Sequence, residues 1–264
     1  MKQFLAGLCL LISLAAHAQD WAKARLEKSP RHGEWTTVRH TGRDVKCFIT
    51  SPEVKDKATA VVVIHEIFGL TDWVRGVTDQ LAEAGYIAIA PDLLSGTAPN
   101  GGGTAELGGD DAARKAIASL PPAQITADLN AVAAHVAHLP ACNGKVAVTG
   151  FCWGGAQTFR FATDNRDIKA AMAFYGTAPD RATDIARIQA PVHGFYGGND
   201  ARVNATLPTT TDLMKNAGKS YTPVIYDGAG HGFMRAGEAP GASRDNKEAR
   251  DAAWKRIRDI LGKL

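Results

Sequence analysis

Ala58 to Ile64 is an unbroken apolar run, the pattern of a strand covered on both faces. Ahead of it, Glu34 to His40 and Asp44 to Thr50 are strand-like runs separated by Thr41-Gly42-Arg43, which predicts an opening hairpin. The residues before the hairpin carry no such pattern and are read as an exposed segment. After the apolar run, Thr71 to Ala84 has helical spacing, with Thr71 as its cap and Gly85 as its stop. Further strands are predicted at Tyr86 to Ala90, Val146 to Thr149, Ala170 to Tyr175, Val192 to Tyr196 and Thr222 to Tyr226. Helical patterns lie between most of them, including Asp128 to Leu139. The final segment, Asp245 to Leu264, gathers Ala253, Trp254, Ile257, Ile260 and Leu261 on one side of a helix. This alternation predicts an α/β chain with an open, mostly parallel central sheet and helices on both faces.

The alternation breaks between Pro91 and Pro122, where Gly101-Gly102-Gly103 and Gly108-Gly109 lie among small and acidic residues. A stretch this long exceeds an ordinary connection. Residues 93–122 are therefore expected to form a lid-like insertion with a short helix over Asp111 to Ser119. No internal repeat or second boundary is visible, so the expected organisation is a signal peptide over residues 1–18 and one domain over 19–264. Lys2 gives the positive start, Phe4 to Ala16 the apolar stretch, and Ala16-His17-Ala18 the signature for cleavage between Ala18 and Gln19. The stretch is shorter than the roughly 20 residues of a spanning helix, and no later one reaches that length, so no stable membrane insertion is expected. These features predict an exported, periplasmic protein.

Charge changes the picture little. Loss of Lys2 lowers the formal charge from +3 to +2, that is 29 basic minus 27 acidic residues. The charges are interspersed rather than clustered, which argues against a nucleic-acid partner. Cys47, Cys142 and Cys152 remain after the signal, an odd number for an oxidising compartment. Pairing of Cys47 with Cys142 would leave Cys152 free, and two inert buried thiols fit the sequence equally well.

Gly150-Phe151-Cys152-Trp153-Gly154-Gly155 places a cysteine where the nucleophile-elbow pattern G-x-S-x-G has serine, between a predicted strand and a helical continuation. A thiol nucleophile needs a base, and the base needs an orienting acid. Gly198-Asn199-Asp200 follows one strand and Gly230-His231-Gly232 another, which puts both side chains at strand carboxyl ends, where open α/β sheets bind ligands. Nucleophile, acid, histidine is also the chain order of the α/β-hydrolase triad. Taken singly, Cys152 could be a buried core cysteine, Asp200 a helix cap and His231 an ordinary loop histidine. His65-Glu66 begins like a zinc-protease motif, but the second histidine would have to stand at position 69, which is glycine, so no metal site is expected. Glu66 is read instead as a carboxylate near the thiol. The backbone N–H groups of Ile67 and Trp153 are the candidate oxyanion donors.

The set His65-Glu66-Ile67-Phe68-Gly69, Ala90-Pro91-Asp92-Leu93, Gly150 to Gly155, Phe174-Tyr175-Gly176, Tyr196 to Asp200 and Gly230-His231-Gly232-Phe233 resembles the dienelactone hydrolase family. The likeness covers most of the chain from Glu34 onward and implies an α/β-hydrolase fold. It further implies Cys152 as nucleophile, His231 as base, Asp200 as its orienter and Glu66 as the group that controls the thiol when substrate binds. Arg235 and Tyr175 match substrate-binding positions of the family, although a solvated loop cation and a core aromatic are the plainer readings of each. Gly232 stands where dienelactone-cleaving members carry a serine, and Arg114, the first arginine of the insertion, reads as a helix-surface charge. Dienelactone specificity therefore does not follow, whereas hydrolysis of a small ester or lactone does. No cofactor is expected. The alternatives are a broad carboxylesterase, a noncatalytic small-ligand binding protein on the same fold and a thiol redox protein, the last weakened because Cys152 has no C-x-x-C partner.

Overall fold

The computed structural model describes residues 20–264, so the expected signal peptide and its cleavage point lie outside the described residues. Strands β1 (Gly33–His40) and β2 (Arg43–Thr50) form the expected hairpin, turning on Thr41-Gly42. β3 (Ala58–Ile64), β4 (Ile87–Pro91), β5 (Cys142–Phe151), β6 (Ala170–Phe174), β7 (Val192–Gly197) and β8 (Tyr221–Tyr226) complete one eight-stranded sheet in the order β1-β2-β4-β3-β5-β6-β7-β8. β2 meets β4 antiparallel, and every pair from β4 to β8 is parallel.

The apolar run of β3 is continuous because helices cover both faces of the sheet. Val62 and Ile64 face one core with residues of α4 (Pro122–Ala137) and α5 (Trp153–Asp164). Val61 and Val63 face the other, with α2 (Asp72–Glu83) and α10 (Arg244–Leu261). The remaining helices are short: α3 (Asp110–Ala118), α6 (Ala182–Ile185), α7 (Ala201–Asn204), α8 (Leu207–Asn216) and α9 (Phe233–Ala236). Pro223 sits in β8, the sheet's far edge, where a missing N–H breaks no ladder bond to a further strand.

Several expectations change. The segment before the hairpin is not simply exposed: Asp20–Glu27 is helix α1, with Ala22 buried. Thr71 stands at the N-cap of α2 but its side chain makes no capping hydrogen bond. Cys47 and Cys142 are both buried and both free, so no disulfide joins them. Residues 93–122 contain two single turns and α3, whose Ala113 and Ile117 enter the core. Asp92 ties this segment down by accepting the Thr104 backbone N–H and hydroxyl, each at 2.7 Å, and the same hydroxyl accepts the N–H of Leu70 at 3.0 Å. The glycine-rich stretch is thereby stitched to the loop after β3.

Glu238, just past α9, is a buried carboxylate that joins distant elements. It pairs with Arg25 of α1 at 2.5 Å and Arg250 of α10 at 3.2 Å, and accepts the Trp73 indole N–H of α2 at 3.2 Å. Removing the buried carboxylate leaves the Arg250 guanidinium poorly solvated, whereas Arg25 remains exposed to water, so Glu238→Gln should lower stability by about 3 kcal/mol. Urea unfolding will measure it against Lys255→Ala, which breaks the exposed Lys255–Asp259 pair and should cost less than about 1 kcal/mol.

Candidate active site

The loops after β3, β5, β6, β7 and β8 emerge where the parallel strands end, and they carry Glu66, Cys152, Tyr175, Asp200 and His231. At the turn from β5 into α5, Cys152 has φ 55° and ψ −115°, a conformation that residues with a β-carbon rarely adopt. Its N–H donates to Phe174 O at 3.0 Å, which pins the turn to β6. Glycines make the turn possible. A β-carbon on Gly154 would stand 2.3 Å from the carbonyl oxygen of His65, and one on Gly155 would stand 2.2 Å from that of Phe174.

Asp200 is both the helix cap and the histidine partner. Its Oδ1 accepts the Val203 N–H of α7 at 3.3 Å, and its Oδ2 accepts Nδ1–H of His231 at 2.5 Å. With Nδ1 donating, Nε2 of His231 is left as the proton acceptor. The partly exposed imidazole packs edge-on against buried Tyr175, centroids 5.0 Å apart. Tyr175 itself holds φ 40°. Its hydroxyl makes no hydrogen bond of standard geometry among the described residues.

Glu66 is buried, and its Oε2 accepts Nε–H of Arg235 at 2.9 Å. Its loop turns tightly, with Gly69 N–H donating to Glu66 O at 3.2 Å, and among the described residues the N–H of Ile67 has no acceptor. The structure therefore joins Glu66 to Arg235 and His231 to Asp200, sets Tyr175 against His231, and exposes the Cys152 thiol to the charges of Glu66 and Arg235 and to the Trp153 N–H, with Ile67 directly after Glu66 in the chain. The Cys152 thiol and His231 share no hydrogen bond among the described residues. Two features escaped the sequence reading. Phe68 lies under two guanidinium groups, Arg235 at 5.5 Å and Arg114 at 5.0 Å, so Arg114 is more than a surface charge paired with Asp111. Arg202, exposed and two residues past Asp200, makes no ion pair among the described residues, and its charge acts on the Cys152 thiol. It lies in α7, directly after the Asp200 cap. A separate cavity of about 690 Å³, lined in part by Trp35, Leu70, Arg75 and Thr104, touches none of the residues expected to do chemistry.

Residues 45–264 match the model of the dienelactone hydrolase family. The chain belongs to that family. It is 34% identical over 214 residues to a protein of Salmonella typhimurium described as a carboxymethylenebutenolidase, covering 75% of this chain and 76% of that one. A similarly described protein of Yersinia pestis is 31% identical over 241 residues, 85% of each chain. Among solved structures, a dienelactone hydrolase from Klebsiella pneumoniae superposes with a TM-score of 0.77 at 27% identity, covering 89% of this chain and 99% of that one. Family membership and fold make this protein a hydrolase of esters or lactones.

In this dienelactone hydrolase fold the surroundings of the thiol favour its neutral form. Burial raises the pKa of Cys152 and the charge of Glu66 raises it further, while the Trp153 N–H, Arg202 and Arg235 act the other way. Burial also raises the pKa of Glu66, opposed by Arg235 and His231. Cys47 is pushed up to about 12 by burial. Iodoacetamide should therefore label Cys152 slowly near neutral pH and Cys47 only after unfolding. Glu66→Gln removes a charge that disfavours the thiolate and frees Arg235, so the pH midpoint of Cys152 alkylation should move down. Mass spectrometry across about pH 6 to about pH 10 reads the shift, and an unmoved midpoint would remove Glu66 from control of the thiol.

Proposed function

We propose that this protein is a cysteine-dependent hydrolase of a small ester or lactone bearing an anionic group, working through Cys152, His231 and Asp200 and an acyl-enzyme intermediate. The observation that carries this reading is the 2.5 Å bond from His231 to Asp200 beside a cysteine held in a strained elbow. In the resting protein Arg235 neutralises Glu66. A substrate anion that draws Arg235 away leaves a buried carboxylate already inclined to take a proton, and it takes the one on the thiol. The thiolate then attacks the carbonyl carbon. The new C–S bond pushes the π electrons onto oxygen, where the N–H groups of Ile67 and Trp153 stabilise the negative charge. Collapse of this adduct breaks the C–O bond, and the leaving oxygen takes the proton held by Glu66.

Water completes the cycle. His231 Nε2 removes one of its protons as the hydroxide oxygen bonds to the thioester carbon, and Asp200 stabilises the imidazolium that results. Cleavage of the C–S bond returns the thiolate, which recovers the proton from His231. Keeping the thiol protonated until substrate arrives limits its oxidation, which suits an exported protein. The mature chain in this reading is one domain, residues 19–264, located in the periplasm. In support stand the signal-peptide pattern of residues 1–18 and the finding that no helix among the described residues is long and apolar enough to cross a membrane.

An anionic substrate is supported by unpaired Arg202 and by Arg235, whose carboxylate partner a substrate anion can replace. Tyr175 supplies part of the wall. Gly232 offers no hydroxyl, which argues against dienelactone itself as the substrate.

Cys152→Ala should abolish turnover of short aryl esters, and Asp200→Asn should lower kcat by roughly 10³- to 10⁴-fold by releasing the histidine tautomer. Equal esterase activity in wild type and Cys152→Ala would sink the mechanism. Arg202→Ala should raise KM about 2- to 5-fold for carboxylated esters and leave neutral ones unchanged, as expected for an exposed ion pair. An equal effect on both substrate types would favour a broad carboxylesterase.

A further inference from the structure

His65 follows β3 directly, one residue before Glu66, and takes no part in the chemistry proposed above. Its side chain is fully buried, yet both ring nitrogens have partners. Nδ1–H donates to the backbone oxygen of Glu66 at 2.8 Å, and Nε2 accepts the N–H of Leu93, just beyond β4, at 3.3 Å. One nitrogen is thus a donor and the other an acceptor, which is the pattern of a neutral imidazole. The ring also lies nearly flat on the indole of Trp153, with centroids 5.5 Å apart and planes 17° from parallel. Beneath this stack the backbone of Gly154 runs so close to the carbonyl of His65 that no β-carbon fits between them.

A single side chain therefore grips both segments that offer N–H groups to the developing oxyanion. It bonds the carbonyl directly before Ile67, and it stacks on the residue whose own N–H follows the nucleophile. The bond to Leu93 ties the ring to β4, so it cannot rotate without leaving a buried N–H unpaired. We propose that His65 is a positioning residue that sets the separation and aim of the Ile67 and Trp153 N–H groups, and so tunes stabilisation of the tetrahedral intermediate without touching the substrate. The proposal rests on the reading of those two amides as the oxyanion hole. A core histidine with only a structural role would support every property of the protein equally, whereas a positioning residue supports most strongly the step that creates an oxyanion.

Two reactions of the same thiol separate these roles. Acylation by an aryl ester passes through an oxyanion, and alkylation by iodoacetamide does not. His65→Phe keeps an aromatic ring against Trp153 but loses both hydrogen bonds, and His65→Asn keeps a donor near the Nδ1 position but loses the stack. Trp153→Leu removes the stack from the other side while leaving the Trp153-position amide in place. In each variant that folds by circular dichroism, we expect pre-steady-state acylation to fall by roughly 10- to 100-fold, the range for misplaced rather than deleted donors. The substrate Kd from the same traces should stay within about twofold. The limiting alkylation rate of the fully ionised Cys152 thiolate, reached at high pH, should be unchanged, because any effect of a displaced Trp153 N–H on the thiol's pKa drops out there. Alkylation falling in parallel with acylation, or acylation remaining at the wild-type rate, would overturn the positioning role. Cys152→Ala run alongside keeps the two readings distinct: if it retains esterase activity, the thiol mechanism fails first and the His65 proposal falls with it.

Discussion

The site depends on one close approach, that of α5 to the ends of β3 and β6. Gly154 and Gly155 let backbone meet backbone where a β-carbon would collide with the carbonyls of His65 and Phe174. That contact holds Cys152 at φ 55° and sets the start of α5 beside the loop that carries Glu66 and Ile67. A residue in a sparsely populated backbone region costs of order 1–3 kcal/mol and persists only when its surroundings leave it no alternative. Here the two cores on either side of the sheet supply that constraint. The rigid sheet then delivers the neighbouring loops to the same edge.

How much of this was legible in the sequence depended on what kind of force makes each feature. The strands were legible because a sheet covered on both faces needs unbroken apolar runs, and Ala58 to Ile64 is bounded to the residue. Cys152, Asp200 and His231 were legible because glycine-flanked loops follow such runs and their order along the chain is informative. Helix α1 was not. Its polar sequence buries only Ala22, and one of its ties, the bond from Arg25 to Glu238, joins residues 213 apart. The bond of Arg235 to Glu66 spans 169 positions and was equally invisible, as was the unpartnered charge of Arg202. Pairings between distant charges leave no local pattern.

Electrostatics at the cleft balance opposing demands. A buried carboxylate beside a thiol would be costly without a cation, and Arg235 provides one while lying on the face of Phe68. The same arginine is then positioned to exchange one carboxylate for another. Arg114 reaches the other guanidinium position on Phe68 from α3, so the segment between β4 and α4 contributes charge to the same aromatic platform. Its attachment through Asp92 and Thr104 makes that contribution part of the fixed structure.

The carboxylate of Glu238 has a consequence for the order in which the molecule is completed. Its partners lie in α1, α2 and α10, and it stands only three residues beyond Arg235. Arg25, near the beginning of the described chain, has no carboxylate to close upon until residue 238 has been synthesised, so this latch on α1 must wait for nearly the whole polypeptide even though α1 packs on α2 far earlier in the chain. Contacts of such long sequence separation form late, because the entropy of closing the loop must be met first. A chain still passing through a channel would therefore keep this latch open, and the turn bearing Arg235 would be secured in the same late step that joins Arg25 and Arg250 to Glu238.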